Sequence, residues 1–78
     1  MGNDDFGWAL LCLKAGNKMA RRGWNGKGMF LFCVSEWECQ QEHYPALPFI
    51  AMKTADDKVV PWLASQTDLL AEDWELVD

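Results

Sequence analysis

The sequence predicts an α+β domain, and three observations carry that reading. A capped, apolar segment opens the chain, strand-like runs flanking turn residues fill the middle, and a serine-capped segment leads into a closing strand. At 78 residues the chain makes one small domain, residues 1–78, with no linker or internal boundary. A chain of this size buries only about 60% of its unfolded surface, so its core gains from outside help such as oligomerisation.

"NDDFGWALLCLKAGNK" reads as the N-terminal helix. Asn3, Asp4 or Asp5 can cap its first N–H groups, and Gly16 suits the left-handed residue after its last turn. Phe6, Ala9, Leu10 and Leu13 share one face; Trp8, Leu11, Cys12 and Ala15 form a second apolar face. A helix apolar on two faces needs two covers. A homo-oligomer interface containing Trp8 and Leu11 is therefore expected.

"KMARRGW" and "KGMFLFCV" flank Asn25-Gly26, a pair that tolerates the positive φ of a two-residue hairpin turn. In the second strand Met29, Leu31 and Cys33 alternate with Phe30, Phe32 and Val34; apolar on both faces, it is expected to be central and sandwiched. "SEWECQQEHYPALP", residues 35–48, has no clean period and two prolines, and reads as a loop with at most a short turn. "FIAMKT" and "KVVPW" make a second hairpin across Ala55-Asp56-Asp57, with Pro61 at a strand end or edge. Ser65 and Asp68 form a capping-box variant at the start of a short second helix, and "DWELV" closes the chain as the C-terminal strand.

Composition narrows the function. Half of the residues are apolar and five are Trp, which argues against disorder. A net charge of −5 argues against general nucleic-acid binding. The charge is uneven: from Phe6 through Ser35 stand Lys14, Lys18, Arg21, Arg22 and Lys27 with no acid, while the remainder holds all twelve acids with Lys53 and Lys58. Such a segment suits a small anion on a chain that rejects long polyanions. The apolar runs are far shorter than the roughly 20 residues of a membrane span, and there is no signal-peptide pattern. The expected compartment is a reducing cytoplasm, with Cys12 and Cys33 as small core fillers.

Cys12, Cys33, Cys39 and His43 lack the clustered spacing of a zinc site. No P-loop, GxSxG, HExxH or dinucleotide fingerprint is present. The acids of Asp56-Asp57 and of Glu72, Asp73 and Glu75 read as solvated surface charge. No metal, cofactor or catalysis is expected.

Binding fits better. Trp24 precedes the Asn25-Gly26 turn and Trp62 precedes "LASQTD", which places flat aromatic walls beside amides and hydroxyls; stacking on a planar base is worth about 1–3 kcal/mol. Arg21, Arg22, Lys27 and Lys53 can supply charge-assisted bonds to phosphate. Arg21 and Arg22 alternate on a strand, so at most one faces a given pocket. On pattern alone, Trp24 suits cross-strand packing as well as a ligand wall, and Ser65 with Asp68 suits helix capping alone. Trp8 and Trp74 read as core. A protein-interaction module built on the apolar helix is the competing function.

"ALLCLKAGNKMARRGWNGKGMFL" and "IAMKTADDKVVPWLASQTDLLAEDWELV" resemble the two signature blocks of the Thoeris anti-defence 2 family of phage proteins, and together they cover most of the chain. The resemblance implies a cytosolic homotetramer, acting in the infected or lysogenic host, that binds a cyclic ADP-ribose isomer and withholds it uncleaved. Some members of the family also take cyclic oligonucleotides. Carried onto this chain, Trp24, Asn25 and Gly26 match the first motif, and Trp62, Ser65, Gln66, Thr67 and Asp68 match the second. A Trp would stack the adenine, and Asn25 with the Ser65–Asp68 turn would bond ribose hydroxyls and phosphate. Met29, Met52 and Lys53 would complete the walls. The chain departs from the family pattern at residues 35–48, where "EWECQQEHYP" replaces a longer segment.

Overall fold

A computed structural model describes residues 4–24, 27–39 and 42–78, of which 36–39 and 42–46 are described through their backbone. Helix α1 spans Phe6–Lys14. Asp5 caps it, its carboxylate accepting the Trp8 N–H at 2.8 Å. Gly16, at φ 98°, ends it in the left-handed region, as the sequence predicts. A Cβ at Gly16 would meet nothing within 4 Å, so backbone conformation alone demands the glycine there.

Strands β1 (Lys18–Arg21), β2 (Phe30–Cys39), β3 (Glu42–Lys53), β4 (Val59–Pro61) and β5 (Trp74–Val77) form one antiparallel sheet in the order β4-β3-β2-β1-β5; the short helix α2 (Gln66–Leu69) precedes β5. The architecture is α+β: an N-terminal helix, antiparallel hairpins, a short second helix and a C-terminal strand. Side chains alternate across the sheet. Met19, Leu31 and Trp74 point to the α1 side, where they are fully buried with Ala9 and Leu13. Phe6, Trp8, Cys12, Trp24, Ile50, Met52 and Trp62 pack around that core.

Five expectations change. The β1–β2 connection is longer than a two-residue turn: β1 ends at Arg21, β2 begins at Phe30, and Met19↔Leu31 is their paired position. Asn25 and Gly26, expected to form that turn, lie outside the described residues. The described residues of segment 35–48 are not a loop: β2 and β3 form a ribbon there with pairs such as Glu36↔Pro45 and Glu38↔His43, after a bulge between Val34 and Glu36. Its prolines fit because β4 pairs only with Ala51–Lys53, which leaves this stretch of β3 a sheet neighbour on one side.

β2 is central in strand order but covered on one face only. Phe30, Phe32 and Val34 on the other face are half-buried, and Cys33 is exposed rather than a core filler. The second apolar face of α1 also divides. Trp8 and Cys12 pack on the chain's own core, whereas Leu11 remains 68% exposed. The Thr54–Lys58 turn closes β3–β4 as expected, with Thr54 N–H donating to Lys58 O at 2.7 Å and Asp57 at φ 65°.

Candidate functional site

Most of the nominated residues gather where the chain leaves β1, next to α2. Arg21 closes β1 with its side chain on the α1 face, and there its guanidinium donates from Nη1 to Asp68 Oδ1 and from Nε to Asp73 Oδ1, both at 2.8 Å. The pairs are largely shielded, with side-chain exposures of 17% for Arg21, 16% for Asp68 and 25% for Asp73. Asp73 is thus no solvated surface charge: the planar arginine fork finds two carboxylates in reach, a strong arrangement once water is partly excluded.

The ionisation equilibria follow this geometry. The Asp73 carboxyl is held below the ordinary range, chiefly by the Arg21 bond and, against burial, by the Gly23 N–H. Burial pushes Asp68 up, but bonds from Arg21, Trp24 and Ser65 outweigh it and leave it lowered. Arg21 is raised by its bonds to Asp73 and then Asp68.

Trp24 is shared between fold and surface. Its ring meets Trp74 edge-on at 5.5 Å, and its indole Nε1 donates to Asp68 Oδ1 at 3.3 Å. Trp62 likewise packs edge-on to Trp74, at 6.0 Å, and against Phe6 at 5.8 Å. Ser65 caps α2, its hydroxyl accepting the Asp68 N–H at 3.1 Å. The Asp68 carboxylate turns to Arg21 and Trp24, so the short-armed box serves as an anchor. Gln66 and Thr67 are exposed on α2.

The remaining nominees separate. Met52 points to the core under α1. Lys53, its neighbour on β3, points to the opposite face, where Nζ donates to Gly28 O at 2.8 Å, pairs with Asp57 at 2.7 Å and lies 5.6 Å from the Phe30 ring centre. One pocket therefore cannot be walled by all of them. Trp24 and Met29 do meet, in an open groove of about 420 Å³ that Arg21, Arg22, Lys27, Gly28, Phe30 and Glu75 also line.

The groove is locally positive. Arg21 is neutralised by its two aspartates. Among the described residues the half-exposed Arg22 side chain pairs with Asp4 (4.0 Å) and Glu75 (3.9 Å), both at long range. Lys27 is exposed and has no ion pair with a described residue. Among the described residues no group of three His, Cys, Asp or Glu is placed to hold a metal ion.

The comparisons agree with the resemblance in the sequence. Residues 5–77 match the family model described as the Thoeris anti-defense 2-like domain. The chain belongs to that family. The Thoeris anti-defense 2 protein of Bacillus phage SP01 is 45% identical over 82 aligned residues, covering 92% of each chain. For this Thoeris anti-defense 2-like protein, sequence reasoning missed Asp73. No local pattern signalled it: Arg21 and Gly23 lie 52 and 50 positions from Asp73, and their bonds to it form only in the fold.

Proposed function

We propose that the protein is a phage anti-defence agent that binds a cyclic ADP-ribose-type signalling nucleotide and withholds it uncleaved, working as a cytoplasmic homotetramer in the bacterial host. The observation that carries this reading is the groove in which Trp24 and Met29 meet Arg22 and Lys27. Its volume of about 420 Å³ falls in the range of small-molecule sites, roughly 300–1,000 Å³. Trp24 and Phe30 offer aromatic surface to a purine, and Arg22 and Lys27 offer positive charge to a pyrophosphate. Arg22 is available because half-exposed contacts near 4 Å are worth about 0–1 kcal/mol, so a phosphate can displace them.

Ser65, Gln66 and Thr67 offer hydroxyl and amide groups at α2, beside Asp68 and outside the lining of the groove. Among the described lining residues Glu75 is the one carboxylate, and neither histidine nor cysteine lines the groove; sequestration accordingly suits the site better than hydrolysis. The family assignment supports the anti-defence role.

Calorimetry with purified cyclic ADP-ribose isomers tests the proposal, followed by heating and recovery of the nucleotide. Tight binding and an intact nucleotide are expected; a linear product would make the protein an enzyme. Trp24→Ala is a poor probe because Trp24 also packs on Trp74. Lys27→Glu is better: it should weaken binding about tenfold or more and leave thermal stability unchanged. Unaltered affinity would move the site away from the groove.

A further inference from the structure

We propose that Asp73 is a positioning residue: acting through Arg21, Gly23 and Asp68 without lining the groove, it fixes Trp24 and so sets the groove's shape. Asp73 holds three consecutive residues as the chain departs from β1. Its backbone oxygen accepts the Arg22 N–H at 3.0 Å, Oδ1 accepts Arg21 Nε at 2.8 Å, and Oδ2 accepts the Gly23 N–H at 2.9 Å. Arg21 passes the constraint on, since its Nη1 bonds the same Asp68 oxygen that accepts the Trp24 indole. Asp68 is itself fixed by the Ser65 cap, and its backbone oxygen accepts Trp74 Nε1 at 3.1 Å.

Gly23 is the second mark of this device. A Cβ there would stand 2.9 Å from Asp73 Oδ2 and 3.5 Å from Arg21 Nη2. Its φ lies outside the left-handed region, so the glycine answers to the close approach of the carboxylate and not to backbone geometry. Asp73 and Gly23 are therefore matched: one supplies both acceptor oxygens, and the other leaves the space they occupy. Asp73→Asn keeps the shape but exchanges one acceptor for an NH₂ donor, which leaves either Arg21 Nε or the Gly23 N–H without its bond. Gly23→Ala pushes the carboxylate away from the opposite side.

What the device serves rests on the nucleotide reading above, but its existence can be measured without a ligand. In Asp73→Asn and in Gly23→Ala, amide exchange at Gly23 and Trp24 should quicken by about tenfold or more while the β2–β3 amides keep their rates, because the opening is local. The Trp24 indole resonance should shift with it. Calorimetry with cyclic ADP-ribose isomers should show affinity lower by about tenfold in both variants, with partial recovery in Asp73→Glu.

Wild-type exchange at Gly23 and Trp24 in both variants would overturn the proposal. Uniform acceleration along the chain would overturn it too, by reducing Asp73 to a general stabiliser. A wild-type protein that binds no isomer would sink the nucleotide reading alone, and the exchange rates would still decide the positioning role.

Discussion

The two faces of the sheet are built from similar residues and left in opposite states. On the α1 face, Trp74, Met19, Leu31, Ala9 and Leu13 are fully buried, and the polar groups beside them are bonded. On the other face Phe30, Phe32 and Val34 stay half-buried, with the Lys18 ammonium 4.9 Å from the Phe30 ring centre. Hydrophobicity alone does not decide which residues become core in a chain this short; the single nine-residue helix does, because it covers one face. The other face keeps apolar area that a second copy can cover, which suits the proposed oligomer at least as well as the α1 surface around Leu11.

The contrast can be broken from its dense side first. Trp74→Ala removes the ring on which Phe6, Trp24 and Trp62 converge, and large-to-small changes of this kind cost about 3–5 kcal/mol. That is close to the whole stability of a small domain, so circular dichroism at 25 °C should report a largely unfolded chain. A folded Trp74→Ala protein would mean that the aromatic cluster is not the organising centre.

A smaller effect is expected from Arg21→Leu, which strands two carboxylates; for so partly exposed a triad we expect a loss of about 2 kcal/mol. Its pH dependence is the sharper signature. Asp68 and Asp73 are lowered in the folded protein, so their stabilisation is complete above the unfolded value of about 4. It declines as pH falls below that value and is gone once the folded carboxyls protonate as well. Denaturant midpoints at pH 7 and pH 3 should therefore differ more in the wild type than in Arg21→Leu; equal differences would remove the triad as the source.

The smallest effect on the protomer belongs to the open face. Phe32→Ser should cost its fold under about 1 kcal/mol, since a half-exposed ring has little burial to lose, yet it should dissociate the proposed homo-oligomer in light scattering. An unchanged mass would send the interface back to Leu11.

Much of this was legible because local chemistry fixes it. Asp5 and Gly16 bound α1, Ser65 starts α2, and Thr54–Lys58 turns β3 into β4. Segment 35–48 was illegible because pairing across nonlocal partners, and not local propensity, makes it a ribbon; Pro45 and Pro48 are admitted by the missing neighbour strand. At the site, the aromatic and cationic residue types were readable, but their division between fold and groove was not. Trp24 finds its indole acceptor 44 positions away, at Asp68. Met52 and Lys53, adjacent in sequence, part to opposite faces as soon as β3 forms.

The ribbon of β2 and β3 bears on how such a chain can change over generations. Beyond the bulge at Val34/Glu36 the described residues of its two strands pair with each other, and none of them takes part in the bonds around Arg21. Lengthening an excursion there costs only about 0.6 kcal/mol per doubling of a flexible loop, and it disturbs none of the bonds around Arg21. Insertions and deletions in this arm should therefore leave the groove's dimensions unchanged.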